Sequence, residues 1–172
     1  MQVLVNRITN CNVYLNGVNL LGAAEECRVA RVKAKMTPHK GLGMFGVAEF
    51  PAGLDMIEAS IKWASFYLQV EVLMGSPFES LDMQVRGNIE TYGPKGIVAQ
   101  NPGVWLMTGA VKDMGTATFK QHENVDFTTS FTVYHAEQYI NGDQTFLYDV
   151  LSNVFVVNGV DQLAQFRANL GG

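Results

Sequence analysis

The sequence predicts a mainly β protein of one domain carrying two short helices, and three observations predict it. Strand-like runs follow one another along the chain, at about residues 12–21, 27–35, 54–65, 81–91, 116–120, 128–139 and 145–157. The dipeptide Asn-Gly, which accepts the positive φ angles of tight hairpin turns, occurs at Asn16-Gly17, Asn141-Gly142 and Asn158-Gly159. Helical character is confined to two short stretches, 66–74 and 161–170. The chain of 172 residues is long enough for one domain with a proper core and short for two.

Asn16-Gly17 lies between Val13-Tyr14-Leu15 and Val18-Asn19-Leu20-Leu21 and reads as the first hairpin. In 28–35 charges fall at Arg28, Arg31, Lys33 and Lys35; from Arg31 onward they alternate strictly with apolar residues, so one face of that strand is wet. Residues 36–53 hold four glycines, two prolines and the hydrophobes Met44, Phe45 and Phe50. A loop of that length is uncommon and often functional. It is either a loose loop whose aromatics tuck onto the core or an arm with apolar anchors for a partner.

Residues 66–74 follow Ser65 and precede Gly75, which suits a short capped helix, with a strand as the alternative because of the valines. Residues 93–103 form a second Pro/Gly-rich connection. In 128–135, Phe131, Val133 and His135 share one face, and Thr128, Ser130, Thr132 and Tyr134 the other, a hydroxyl-rich face natural to solvent or a polar channel. Asn141-Gly142 joins this run to 145–157, where Phe146, Tyr148 and Val150 fall together. Asn158-Gly159 reads as a corner from strand into the last helix. Asp161 can accept from the free N–H groups at that helix's start. Leu163, Phe166 and Leu170 line one face, Arg167 suits the helix dipole, and Gly171 can take the left-handed position after the end. So short a helix needs tertiary contacts, so its apolar face is expected to dock.

Apolar residues make up 48% and charged ones 16%, against a usual charged share of about 25%. A surface so short of charge either faces a partner or is carried by Asn, Gln and Thr. Net charge is −4 and the basic residues are scattered, which disfavours a reader of nucleic acid. Neither 8–24 nor 95–112 reads as a spanning or export segment, so no membrane anchor is expected. Cys11 and Cys27 are expected to be free, partly buried thiols, although they could pair.

Few residues of the chain stand in a pattern that carries chemistry. His39, His122 and His135 have no metal-site spacing. Gly41 to Gly46 spells G-x-G-x-x-G but lacks the preceding strand and following helix of a dinucleotide site. The pairs Asp55 with Glu58 and Glu25 with Glu26 have no general-base context beyond proximity. Trp63 and Trp105 read as packing anchors. No catalytic residue, cofactor or metal is assigned, and the chain reads as built to assemble.

Several stretches resemble the major tail tube proteins of P2-like contractile-tailed phages and R-type bacteriocins. The best is Val156-Val157-Asn158-Gly159-Val160-Asp161 followed by Leu163, Arg167 and Leu170-Gly171. The turn Ile140-Asn141-Gly142-Asp143, the opening Asn12-Val13-Tyr14-Leu15-Asn16-Gly17, the glycine-rich arm around Met44, and Leu54-Asp55-Met56-Ile57-Glu58-Ala59-Ser60 are also similar. His122-Glu123-Asn124 stands where relatives tend to carry a basic patch.

The resemblance implies a two-sheet antiparallel sandwich or partly open barrel with a flanking α-helix, the tail-tube fold, over a single domain 1–172 with a long arm at 36–53. It implies homohexameric rings that stack into an inner tube within a tail sheath, meeting tape measure, baseplate and tail-terminator proteins. The tube is assembled in the host bacterial cytoplasm, becomes part of the virion tail, penetrates the target envelope and conducts DNA through its lumen without specific binding. Six copies carry about −24 (6 × −4). Gly41, Gly43, Met44, Phe45 and Phe50 become the inter-ring arm, and Leu163, Phe166 and Leu170 the helix-docking residues. The alternatives are a monomeric small-ligand-binding β-barrel with a pocket lined by Trp63, Trp105 and phenylalanines, and the tube of a related secretion machine.

Overall fold

A computed structural model describes residues 3–171, so the ends of the expected 1–172 domain lie outside the described residues. The elements in chain order are β1 (Val5–Leu15), β2 (Val18–Asn19), β3 (Ala24–Arg28), β4 (Ala34–His39), β5 (Ala48–Leu54), β6 (Ile57–Trp63), α1 (Leu68–Met74), β7 (Ser80–Gly93), β8 (Gly96–Asp113), β9 (Phe127–Ile140), β10 (Asp143–Asp149), β11 (Val154–Val157), β12 (Val160–Asp161) and α2 (Ala164–Asn169).

The strands of the main sheet follow the order β12-β11-β10-β9-β8-β7-β1-β2, all antiparallel. A branch leaves this path at β9, where β6 pairs with Phe127 to Val133 and β3 then pairs with β6. The branch folds over the core without closing a barrel, so the partly open form is the one observed. Val13, Leu15, Ile57, Ile61, Trp63, Met83, Val85, Met107, Phe131 and Val133 fill the space between the layers.

The branch has a local cause. Thr108 pairs with His135 and Gly109 with Val133, so Tyr134 is an extra residue in β9. Such a bulge bends a strand and shifts its side-chain parity. Phe127, Thr129, Phe131 and Val133 are buried, and beyond the bulge the buried residue is Ala136. His135 therefore leaves the face of Phe131 and Val133, where simple alternation places it. Gly109 permits the approach of β8 to β9, since a Cβ there would lie 1.9 Å from the Thr132 carbonyl oxygen.

All three Asn-Gly pairs are two-residue hairpin turns with positive φ at both positions. Asn158-Gly159 joins β11 to β12 and is not a corner into the helix. The expected strand 27–35 ends at Arg28. Beyond it Ala30 is buried and its N–H points at Met107 Sδ, and regular pairing resumes at Ala34 in a different sheet. The run 54–65 likewise divides between β5 and β6, with Asp55 N–H donating to the Lys33 carbonyl at 2.9 Å. No strand forms at 116–120, where the β-prone residues find no sheet edge. The 93–103 connection is instead the turn and first half of β8, which carries Pro102 and Gly103 within an 18-residue strand. Pairing with β9 starts at Gly103, so Pro102 lies at the very end of that ladder, where its carbonyl accepts the Asn141 N–H of the β9–β10 turn at 2.9 Å.

Stretch 66–74 is a helix, starting at Leu68; Ser65 does not cap it and bonds Asn124 instead. The last helix starts at Ala164, because Asp161 belongs to β12 and accepts the Leu163 N–H at 2.9 Å. Asp161 also pairs with Arg167, tying β12 to α2.

Candidate functional site

The first feature is a polar face of the main sheet, opposite the core. Antiparallel register sets its side chains in rows across the strands. One row runs Asp82, Thr108, His135, Asp149 across β7, β8, β9 and β10. The next runs Tyr14, Gln84, Leu106, Glu137, Leu147. Asn12, Arg86, Val104 and Tyr139 form a third.

Hydrogen bonds tie neighbours within and between these rows, the largest group being centred on His135 and Glu137. Thr108 Oγ1 donates to Asp82 Oδ1 at 2.7 Å. His135 bridges two carboxylates, with Nδ1 at 3.1 Å from Asp149 Oδ2 and Nε2 at 2.7 Å from Glu137 Oε1. Glu137 also accepts from the Tyr139 hydroxyl and from Gln144 Nε2. The Arg86 guanidinium lies 5.7 Å from the centre of the Tyr14 ring. Partial burial pulls the His135 pKa down, but the bonds and charges of Glu137 and Asp149 outweigh it, and His135 stands above the ordinary histidine value. Glu137 resists partial burial through its Tyr139 and His135 donors and stays below the ordinary carboxylate range. Asp149 is lowered first by the Ser152 N–H and further by His135. Asp82, Glu137 and Asp149 face Arg86 as the full cation of the three rows, so this surface leans acidic. Sequence reasoning missed the network because the bulge at Tyr134 reverses parity; the signal available was the alternation His135, Glu137, Tyr139.

The second feature is the arm. Residues expected as a long loop are a two-stranded hairpin, β4 with β5, which forms a sheet of its own. Every residue of β4 is exposed. At the tip Met44 N–H donates to the Gly41 carbonyl at 3.2 Å, and Gly43 takes φ +85°. Leu42 and Phe45 are fully exposed, and Met36, Met44, Val47 and Phe50 nearly half or more. The structure thus brings Gly41, Gly43, Met44 and Phe45 together at the tip, with Phe50 back on β5 against His39. Leu42 was not singled out from the sequence, though it stands out as far as Phe45.

The third feature is the end of the chain. The expected docked face is not formed within this chain. Leu163 is half-buried, Phe166 is 51% exposed, Leu170 is more exposed still, and no residue of α2 is buried. Arg167 to Asp161 and Arg167 to the Asn153 carbonyl hold the helix in place of apolar packing. Leu163 and Phe166 line a groove with residues 51–54 at the root of the arm, Tyr148 and Val150.

Trp63 is fully buried in the core. Trp105 lies over Gly103, where a Cβ would come within 2.8 Å of its ring, and beside Gly87. Cys11 is exposed rather than partly buried, both thiols are free, and burial pushes Cys27 up to about 12, with Cys11 and Glu26 adding to it. Among the described residues no three His, Cys, Asp or Glu gather as metal ligands, and no helix is long and apolar enough to cross a membrane.

The sequence that folds this way matches the model of a known family along nearly its whole length. The model of the phage tail tube protein FII family covers residues 5–171. The chain belongs to the phage tail tube family. It is also 27% identical over 164 residues to the tail tube protein of Escherichia phage P2, across 93% of this chain and 94% of that protein. Tail tube membership makes its role structural, as a component of the virion tail that assembles with other tail proteins.

Proposed function

We propose that six copies close into a ring whose polar sheet faces line a lumen, and that such rings stack through the β4–β5 hairpins into the inner tube of a contractile tail. The observation that carries this is the incomplete sheet. β2 and β12 end it, and β8 before Pro102 has no strand beside it on its β9 side among the described residues. Exposed edges of this kind invite pairing with other chains, and a closed ring of identical copies is the arrangement that satisfies them without limitless growth.

The acidic lean of the polar face supports passage of DNA without specific binding. Phosphates within about 8 Å, the Debye length at physiological salt, are repelled. The sheath surrounds the tube, the tape measure protein occupies it during assembly in the host cytoplasm, and baseplate and tail-terminator proteins meet its two ends. In this arrangement the assembled tube penetrates the target envelope by shape and stiffness. Electron microscopy and size-exclusion chromatography of the purified chain test the reading. Rings or tubes about one ring wide are expected; a monomer at every concentration overturns it.

A further inference from the structure

Helix α1 is apolar on two opposite sides. Val70 and Met74 are fully buried, while Leu68 and Val72, one turn apart on the other side, are 71% and 74% exposed. Gln69 and Glu71 are its only polar residues. A helix apolar all round belongs in an interior, so the outward side of α1 lacks a cover. Phe66 and Phe78, just before and after the helix, are exposed as well. Residues 64–85 carry Glu71, Glu79 and Asp82 and no lysine or arginine.

The β4–β5 hairpin has the opposite character. Within it Lys35 and Lys40 stand against Glu49, and Leu42 and Phe45 project at its tip. We infer that the outward side of α1 is the seat of the hairpin of a second copy of this chain. The tip's Leu42 and Phe45 cover Leu68 and Val72, and Lys35 and Lys40 lie toward Glu71 and Glu79. Apolar anchors supply the burial and the charges set the orientation. The groove beside α2 suits this role less well. One of its walls is the hairpin's own root, and Asp149 and Asp161 beside it are engaged by His135 and Arg167. The inference rests on the stacking reading and names the surface that receives the arm.

The test mixes two variants in a Cys11→Ser, Cys27→Ser background, one carrying Phe45→Cys and the other Val72→Cys, and oxidises the assembled product with copper phenanthroline. A reducible dimer is expected, and none from Phe45→Cys mixed with Ile97→Cys, an exposed position on β8. A second measurement does not depend on cysteines. Reversal at Glu71→Lys and Glu79→Lys shifts the assembly midpoint about tenfold toward free subunits, and Lys35→Glu with Lys40→Glu in the same chain restores it. Tubes that form without the 45–72 cross-link, or whose reversed charges are not rescued, overturn the inference and leave the stacking reading intact. Cross-linking of Val72→Cys to the sheath protein in whole particles, in place of Phe45, overturns it too. Wild-type protein that makes neither rings nor tubes removes the stacking reading itself, and this inference with it.

Discussion

The indole N–H of Trp63 donates to Thr129 Oγ1 at 3.0 Å, and neither side chain is exposed. Trp63 ends β6, and Thr129 lies on β9 opposite Ile61, so the bond crosses the strand pair on which the branch of the sheet is built. Among the described residues Thr129 is the one polar side chain in the core. Its position is explained by the indole, which needs an acceptor when buried. Thr129→Val keeps shape and removes the acceptor. It is expected to cost about 1–3 kcal/mol, with Thr129→Ser losing less, read as a shift in urea midpoint at unchanged slope.

The cluster around His135 predicts a pH dependence. His135 has a raised folded pKa, so its contribution is fully present below the unfolded value of about 6.5 and is lost as pH rises through the folded value. Glu137 and Asp149 are lowered, so their contribution is present above the unfolded carboxylate values of about 4 and lost as pH falls through the folded ones. The network is therefore tightest between the two, at mildly acidic pH. His135→Gln is expected to destabilise more near about pH 6 than near about pH 9. With these groups partly solvated, the effect at either pH stays under about 1 kcal/mol. Urea unfolding of both proteins at the two pH values measures it; equal losses would mean His135 matters only as a spacer.

The bulge makes a steric prediction. Gly109→Ala places a Cβ 1.9 Å from the Thr132 carbonyl oxygen, and backbone cannot rotate away as a side chain can. The loss is expected at or beyond the upper end of the roughly 1–3 kcal/mol typical of overpacking. Gly46→Ala, which meets nothing within 4 Å, is the control and is expected within about 0.5 kcal/mol of wild type. Thermal unfolding of the two variants side by side decides it.

The places where sequence reasoning worked and failed have physical causes. The Asn-Gly turns were legible because positive φ is a local demand that few residues meet, and Asn16, Asn141 and Asn158 all meet it. The assembly role came through resemblance and through the lack of catalytic groupings. Strand faces were legible only up to the bulge: Thr128, Ser130 and Thr132 fall on the wetter face as alternation requires, whereas His135 does not stay with Val133. The bulge depends on Gly109, which lies 26 residues from His135 in the sequence and carries no local signal of its role. The arm was misread because Gly41, Gly43 and Gly46 at the tip obscured two strands whose partners are each other. The terminal helix was misread because the i, i+3, i+7 spacing of Leu163, Phe166 and Leu170 gives a face, and a face does not say that its cover lies in the same chain.

The exposed arm predicts a separation of folding from assembly. Leu42 and Phe45 touch nothing that a substitution would deprive, so Leu42→Ser with Phe45→Ser is expected to leave the unfolding midpoint within about 0.5 kcal/mol of wild type. Deletion of residues 40–48 removes the tip and is expected to leave the body folded as well. In both cases tubes are lost. Circular dichroism and electron microscopy of the same samples are the measurements, and long tubes from the deletion would contradict the role given to the arm.

The terminal helix supplies the last prediction. A fully buried Phe166 would cost about 3–5 kcal/mol on truncation to alanine. The observed residue is 51% exposed and borders a groove rather than a packed core. Half of the roughly 1.5–3 kcal/mol for full burial is what remains to lose, so Phe166→Ala is expected to cost about 1 kcal/mol in the isolated chain. Arg167→Ala acts differently, because it removes the guanidinium from the Asp161 carboxylate, which keeps the Leu163 N–H, and from the Asn153 carbonyl. It is expected to loosen α2 without unfolding the sheet, seen as faster amide exchange across residues 163–170 at a nearly unchanged global midpoint. If Phe166 is covered in assembled particles, Phe166→Ala loses more there than in the free chain, and comparing tube dissociation with monomer unfolding separates the two.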